Sequence, residues 1–132
     1  MSKTLLEVRN LKKHFPITQG LFNREVARVR AVDGISFTVD RGETVGLVGE
    51  SGCGKSTAAE AILRLEEPTD GSVLFDDQDI TTFDDQELKG FRREAQMIFQ
   101  NPDSSFDPRM TVGESIAEPL EIHGVGPRSR RE

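Results

Sequence analysis

The residues most suited to chemistry form one short run, GESGCGKST, from Gly49 to Thr57. Gly49 and Gly54 frame Glu50, Ser51, Gly52 and Cys53, and Lys55-Ser56 follows, which satisfies G-x-x-x-x-G-K-[ST] without exception. Glycines at these positions let the backbone curl until successive N–H groups point inward as an anion nest, and a helix opening at Gly54-Lys55 adds its positive N-terminal end. The pattern assigns Lys55 to the β and γ phosphates of a nucleoside triphosphate, the Ser56 hydroxyl to Mg2+ and Thr57 to the α phosphate. Cys53 reads as a small residue in a tight turn, with a reactive thiol as the alternative, since a helix N-terminus lowers a thiol pKa.

The flanking sequence has to position this loop. Thr44-Val45-Gly46-Leu47-Val48 reads as a short apolar strand aimed at Gly49. Behind the loop, Ala58, Ala59, Ala61, Ile62, Leu63 and Leu65 recur at helical spacing, and Pro68 and Asp70-Gly71 close that helix. Leu5 to Leu11 is expected to be a strand, Lys12 to Arg24 a loop because of Pro16 and Gly20, and Val26 to Val39 a strand interrupted by an Asp33-Gly34 turn. Arg41-Gly42 marks a second turn, Ser72 to Phe75 a strand, Asp84 to Arg93 a polar helix, and Ala95 to Phe99 a buried strand. Val112 to Ile122 reads as a last helix, with Thr111 and Glu114 at the spacing of a capping box. This alternation predicts an α/β fold, a partial P-loop NTPase core with an N-terminal antiparallel β layer.

Bulk composition narrows the function classes. A chain of 132 residues with 35% hydrophobic residues supplies one modest core and one domain. One cysteine excludes an internal disulfide and a Cys-based zinc site. The net charge of -6 argues against non-specific nucleic-acid binding, so no nucleic-acid partner is expected, and Arg128 to Arg131 reads as a solvated end. An excess of carboxylates is also how a surface stays hydrated at high salt, so a halophilic origin is open. No apolar run approaches the roughly 20 residues of a spanning helix, and Met1 to Asn10 lacks the order of a signal peptide, which places the chain in the cytosol or at a membrane periphery.

Catalytic carboxylates are harder to find. Asp76, after Val73-Leu74-Phe75, is the one acidic residue placed like a metal ligand at a strand end, yet Asp77-Gln78-Asp79 beside it favours a hairpin turn. Asp84-Asp85 reads as a helix cap, and His14 and His123 as surface residues.

Phe15 after Leu11-Lys12-Lys13-His14, then the phosphate loop, then Met97-Ile98-Phe99-Gln100-Asn101-Pro102, resembles the ATP-binding cassette (ABC) ATPases. The run Gln100 to Gly113, QNPDSSFDPRMTVG, resembles the oligopeptide and dipeptide importer branch specifically. The resemblance implies ATP and Mg2+ as cofactors, Phe15 as the aromatic that stacks on adenine, and Gln100 as the catalytic glutamine that meets Mg2+ or the attacking water. It also implies an energy-coupling subunit on the cytoplasmic face of the membrane, partnered by a permease and by a second ATPase subunit. The family's Leu-Ser-Gly-Gly-Gln signature, Walker B strand and switch histidine are absent from residues 1–132, so these are expected to be the N-terminal part of such a domain, as a piece or as a truncated product. Two other readings stand beside it: a module that binds ATP without turnover, and a soluble cassette ATPase of DNA repair or translation, which the Gln100 to Gly113 run disfavours.

Overall fold

The computed structural model describes residues 3–19, 24–101 and 106–125. It divides into two compact units, Met1–Leu88 and Lys89–Glu132. The first unit carries a four-stranded antiparallel sheet in the order β2-β1-β3-β4, with β1 at Thr4–Gln19, β2 at Arg24–Asp40, β3 at Asp70–Phe75 and β4 at Gln78–Asp79. Helix α1 spans Lys55–Ile62, and a 3-10 turn spans Ile80–Thr82.

Strand β1 is central, and two irregularities decide which of its residues face inward. Val8 and Leu11 are both buried, although strict alternation would send residues three apart to opposite faces. An extra residue in β1 between the pairs Val8↔Phe37 and Leu11↔Ile35 corrects the phase, with Asn10 at φ 47° and its N–H donating to the Ser36 hydroxyl at 2.8 Å. The opposite strand bulges next to it: Gly34, at φ 86°, lies between Ile35 and Asp33, the partners of Leu11 and Lys12. Asp33-Gly34 is therefore a bulge inside one continuous strand, not a chain-reversing turn. The expected loop over Lys12 to Arg24 is likewise strand for most of its length, because Pro16 and its neighbours pair along β2 as far as Gln19↔Arg24. Residues 20–23 lie outside the described residues.

Val73 sits opposite Val8, and with Val32, Ala58, Ala61 and Ile80 these residues make the buried core of the first unit's sheet and helix. Small alanines on the buried face of α1 let the helix lie close to the sheet. The chain leaves α1 through Arg64 in a left-handed conformation, φ 49°, with Leu65 N–H donating to the Glu60 carbonyl. The Arg64 guanidinium donates to the carbonyls of Ile80 and Phe83 at 2.9 and 2.8 Å and pairs with Glu67, which offsets the cost of that backbone conformation.

Helix α2, Asp85–Glu94, begins at a reciprocal cap: Asp84 accepts from the N–H groups of Gln86 and Glu87, and Glu87 accepts from Asp84 N–H. In the second unit, α3 spans Val112–Ile122 and carries the full Thr111/Glu114 capping box. Among the described residues no helix is long and apolar enough to cross a membrane.

Two expected strands are not formed. Residues 44–48 and 96–99 carry no ladder, and Val48 and Ile98 are 91% and 97% exposed. Apolar composition marks a segment suited to a buried strand, but the ladder requires a neighbour, and neither segment has one among the described residues.

Gly71, at φ 91°, tests how tightly β3 lies on the β1 bulge. A Cβ there would stand 2.4 Å from the Asn10 carbonyl oxygen and 2.7 Å from that of Arg9. Gly71→Ala should therefore lower the urea midpoint, costing more than about 1 kcal/mol. Gly90, inside α2 with open space around it, should behave oppositely, Gly90→Ala raising stability by roughly 0.5–1 kcal/mol.

Candidate phosphate-binding site

Residues 49–54 turn sharply into α1. Gly52 and Gly54 hold left-handed φ of 78° and 96°, and Cys53 N–H donates to the Glu50 carbonyl at 3.3 Å. Gly54 meets the sheet so closely that a Cβ would stand 2.0 Å from the Ala31 carbonyl oxygen. A Cβ on Gly49 would meet Cys53 Sγ at 2.6 Å. Gly54 is thus required by backbone contact as well as by dihedral angle, and Gly52 by dihedral angle.

The first turn of α1 has no side-chain cap and no acidic residue. Its leading N–H groups carry the helix's positive end with no carboxylate nearby in the turn, an arrangement suited to an anion. Lys55 curls back over the loop, its Nζ donating to the carbonyls of Gly49 and Glu50 at 2.7 and 2.6 Å, with Cys53 Sγ at 3.5 Å. The ammonium therefore sits at the mouth of the loop, on neutral acceptors that an anionic oxygen outcompetes. Ser56 is exposed one residue on, and Thr57 is half-buried. Beside the loop lies an open cleft of about 200 Å3 with Val32 and Ala58 at its base and Leu47, Val48, Cys53 and Lys55 around it.

Gly49 to Thr57 thus come together as the pattern predicts. Phe15 is in the same unit on β1, opposite Val29 and 37% exposed, though not among the side chains lining the cleft. Gln100 is exposed in the second unit. Asp76, at φ 48° with Asp77 at 65°, makes the β3–β4 turn and pairs with Arg41, so it serves the hairpin. Among the described residues no group of three or more His, Cys, Asp or Glu side chains could hold a metal ion. Residues 102–105, within the importer-like run, and the basic end 128–131 lie outside the described residues.

Sequence reasoning missed two groupings. His14 is not a free surface residue: its side chain is 15% exposed and its Nε2 lies 2.8 Å from Asp33, which Arg30 also approaches at 3.4 Å. The hydrogen bond with His14, and secondarily the charge of Arg30, hold the Asp33 carboxyl below its ordinary range. Lys13 lies with its ammonium 4.9 Å from the centroid of the Phe15 ring. Residues two apart on a strand share a face, which is the one local signal that links Lys13 with Phe15.

Several known proteins are similar to this chain over most of its length. The oligopeptide transport ATP-binding protein AppF of Bacillus subtilis (strain 168) is 50% identical over 124 residues, covering 93% of this chain and 38% of that protein. The probable peptide ABC transporter ATP-binding protein y4tS of Sinorhizobium fredii is 52% identical over 132 residues, 100% of this chain and 37% of that protein. The glutathione import ATP-binding protein GsiA of Escherichia coli (strain K12) is 50% identical over 123 residues, 93% of this chain and 20% of that protein. The chain therefore spans well under half the length of these relatives. Among solved structures, the dimeric ATP-binding cassette MJ0796 in a post-hydrolysis state with ADP and Pi superimposes with a TM-score of 0.79 at 27% identity, over 96% of this chain and 52% of that one. The superposition shows that the antiparallel layer, phosphate loop and helices are a portion of a cassette fold. The family model for the ABC transporter matches residues 32–131, most of the chain, and the chain belongs to that family.

Proposed function

We propose that this chain binds MgATP as the nucleotide-binding portion of an ABC importer's energy-coupling subunit, with a peptide as the transported solute. The observation that carries the nucleotide reading is the loop itself: left-handed glycines, an uncapped helix N-terminus and Lys55 folded over the mouth. Phosphate oxygens would take the Lys55 ammonium from the Gly49 and Glu50 carbonyls and accept from the leading N–H groups of α1. Ser56 fits Mg2+ as an exposed hydroxyl beside that nest; the metal would neutralise charge between the β and γ phosphates. Phe15 offers an exposed ring for the base, and Gln100 is proposed as the polar group that meets Mg2+ or the attacking water.

The names of the relatives, for oligopeptides, peptides and glutathione, support a peptide solute and a permease partner. The dimeric cassette supports pairing with a second ATPase subunit. A location on the cytoplasmic face of the membrane follows from that partnership.

Three measurements test the site. Lys55→Ala should weaken MgATP binding at least ~10-fold in calorimetry, since each charge-assisted contact to phosphate contributes about 1.5–3 kcal/mol. Equal affinities in two folded proteins would remove the phosphate-loop reading. Ser56→Ala should reduce the gain in ATP affinity on adding Mg2+ while leaving affinity in EDTA unchanged; an unaltered Mg2+ dependence would dismiss Ser56 as a metal ligand. Phe15→Ala should weaken ATP binding but not binding of inorganic triphosphate, a stacked base being worth roughly 1–3 kcal/mol. Parallel loss of both ligands would mean that Phe15 only packs.

A further inference from the structure

We propose that Lys13 is a positioning residue for base recognition: its ammonium, pinned to the segment that follows α1, orients the Phe15 ring on which the nucleotide base stacks. The inference rests on the reading of Phe15 as the stacking platform.

A lysine ammonium on a flexible stem ordinarily roams in solvent. Lys13 does not, for its side chain is 12% exposed and its Nζ donates to the Glu67 carbonyl at 2.8 Å and pairs with the Glu66 carboxylate at 3.0 Å. Both acceptors belong to the segment just beyond α1, and that segment is itself fastened to β1. Thr69 N–H donates to the Lys12 carbonyl at 2.7 Å, and His14 N–H donates to the Thr69 hydroxyl at 2.9 Å. The position of the ammonium is therefore set by the segment that follows α1, the helix that begins at the phosphate loop.

From that anchored position the ammonium lies 4.9 Å from the centre of the Phe15 ring, within the range of a cation–π contact. The ring is 37% exposed on a strand and would otherwise be free to rock about its side-chain torsions. A cation on one face restrains it and draws π density toward that face, so the opposite face becomes a better platform for an electron-rich purine. Helix α1 together with the segment after it thus joins the phosphate nest to the base platform, and the distance between them is built into the fold. Triphosphate without a base touches none of this, which makes the effect of Lys13 specific for the base.

The test measures affinity for MgATP and for Mg-triphosphate by calorimetry in the wild-type chain, Lys13→Met, Lys13→Arg, Phe15→Ala and the Lys13→Met/Phe15→Ala pair. Lys13→Met should weaken ATP binding about fivefold and leave triphosphate binding unchanged, which also reports an intact loop. Lys13→Arg should retain ATP affinity, and Lys13→Met should add nothing once Phe15 is gone. Equal losses for both ligands, a loss in Lys13→Arg as large as in Lys13→Met, additive losses in the pair, or tighter ATP binding in Lys13→Met would each overturn the proposal. The last would mean that the ammonium occupies the face the base requires. If Phe15→Ala fails to separate ATP from triphosphate, the stacking reading falls and this inference with it. If Phe15→Ala separates them and Lys13→Met is silent, the inference alone falls.

Discussion

The contact on which the site depends is the approach of Gly54 to the Ala31 carbonyl, where there is no room for a side-chain carbon. It seats the first turn of α1 directly on the backbone of β2, so the positive end of the helix has a fixed location on the sheet. Everything that would meet an anion follows from that seating: the direction of the leading N–H groups, the return of Lys55 over the loop, and the cleft floored by Val32 and Ala58. A helix of eight residues is marginal alone, so its stability comes from burying Ala58 and Ala61 against the sheet. Binding geometry and helix stability both come from the seating of α1 on the sheet.

The sheet that receives α1 is held in phase by paired bulges rather than by regular alternation. Asn10 and Gly34 each take a left-handed backbone conformation, on neighbouring strands, and together they keep Val8, Leu11 and Val32 on the buried face. A slip of one residue in pairing would move every inward side chain outward. Bulges at defined positions make such a slip costly, because only one register places both irregularities beside their partners.

The phosphate loop, the two helix caps at Asp84 and Thr111, and the Asp76-Asp77 turn were legible in the sequence because each is built from residues within a few positions of one another. The length of the β1–β2 hairpin was not. Pro16, Gly20 and Asp33-Gly34 are breakers by local preference, and the ladder between two long strands outweighed them. The runs 44–48 and 95–99 misled for the opposite reason: apolar composition reports what surroundings a segment suits, not which strand lies next to it. The contacts of Lys13 were out of reach as well, since they rest on Glu66 and Glu67, which are brought near only when β3 and its preceding segment close onto β1.

The sheet order also has a consequence in time. β1 pairs with β2 through a short connection, but its other edge is covered by β3, which arrives only after α1 has been made. At ribosomal speeds of about 5–20 residues per second, the chain from Asp40 to Phe75 takes a few seconds to appear, far longer than a hairpin needs to form. During that interval the nascent hairpin presents Val8 and Leu11 together with a bare strand edge, a surface that a second nascent chain on the same message could pair with before β3 does.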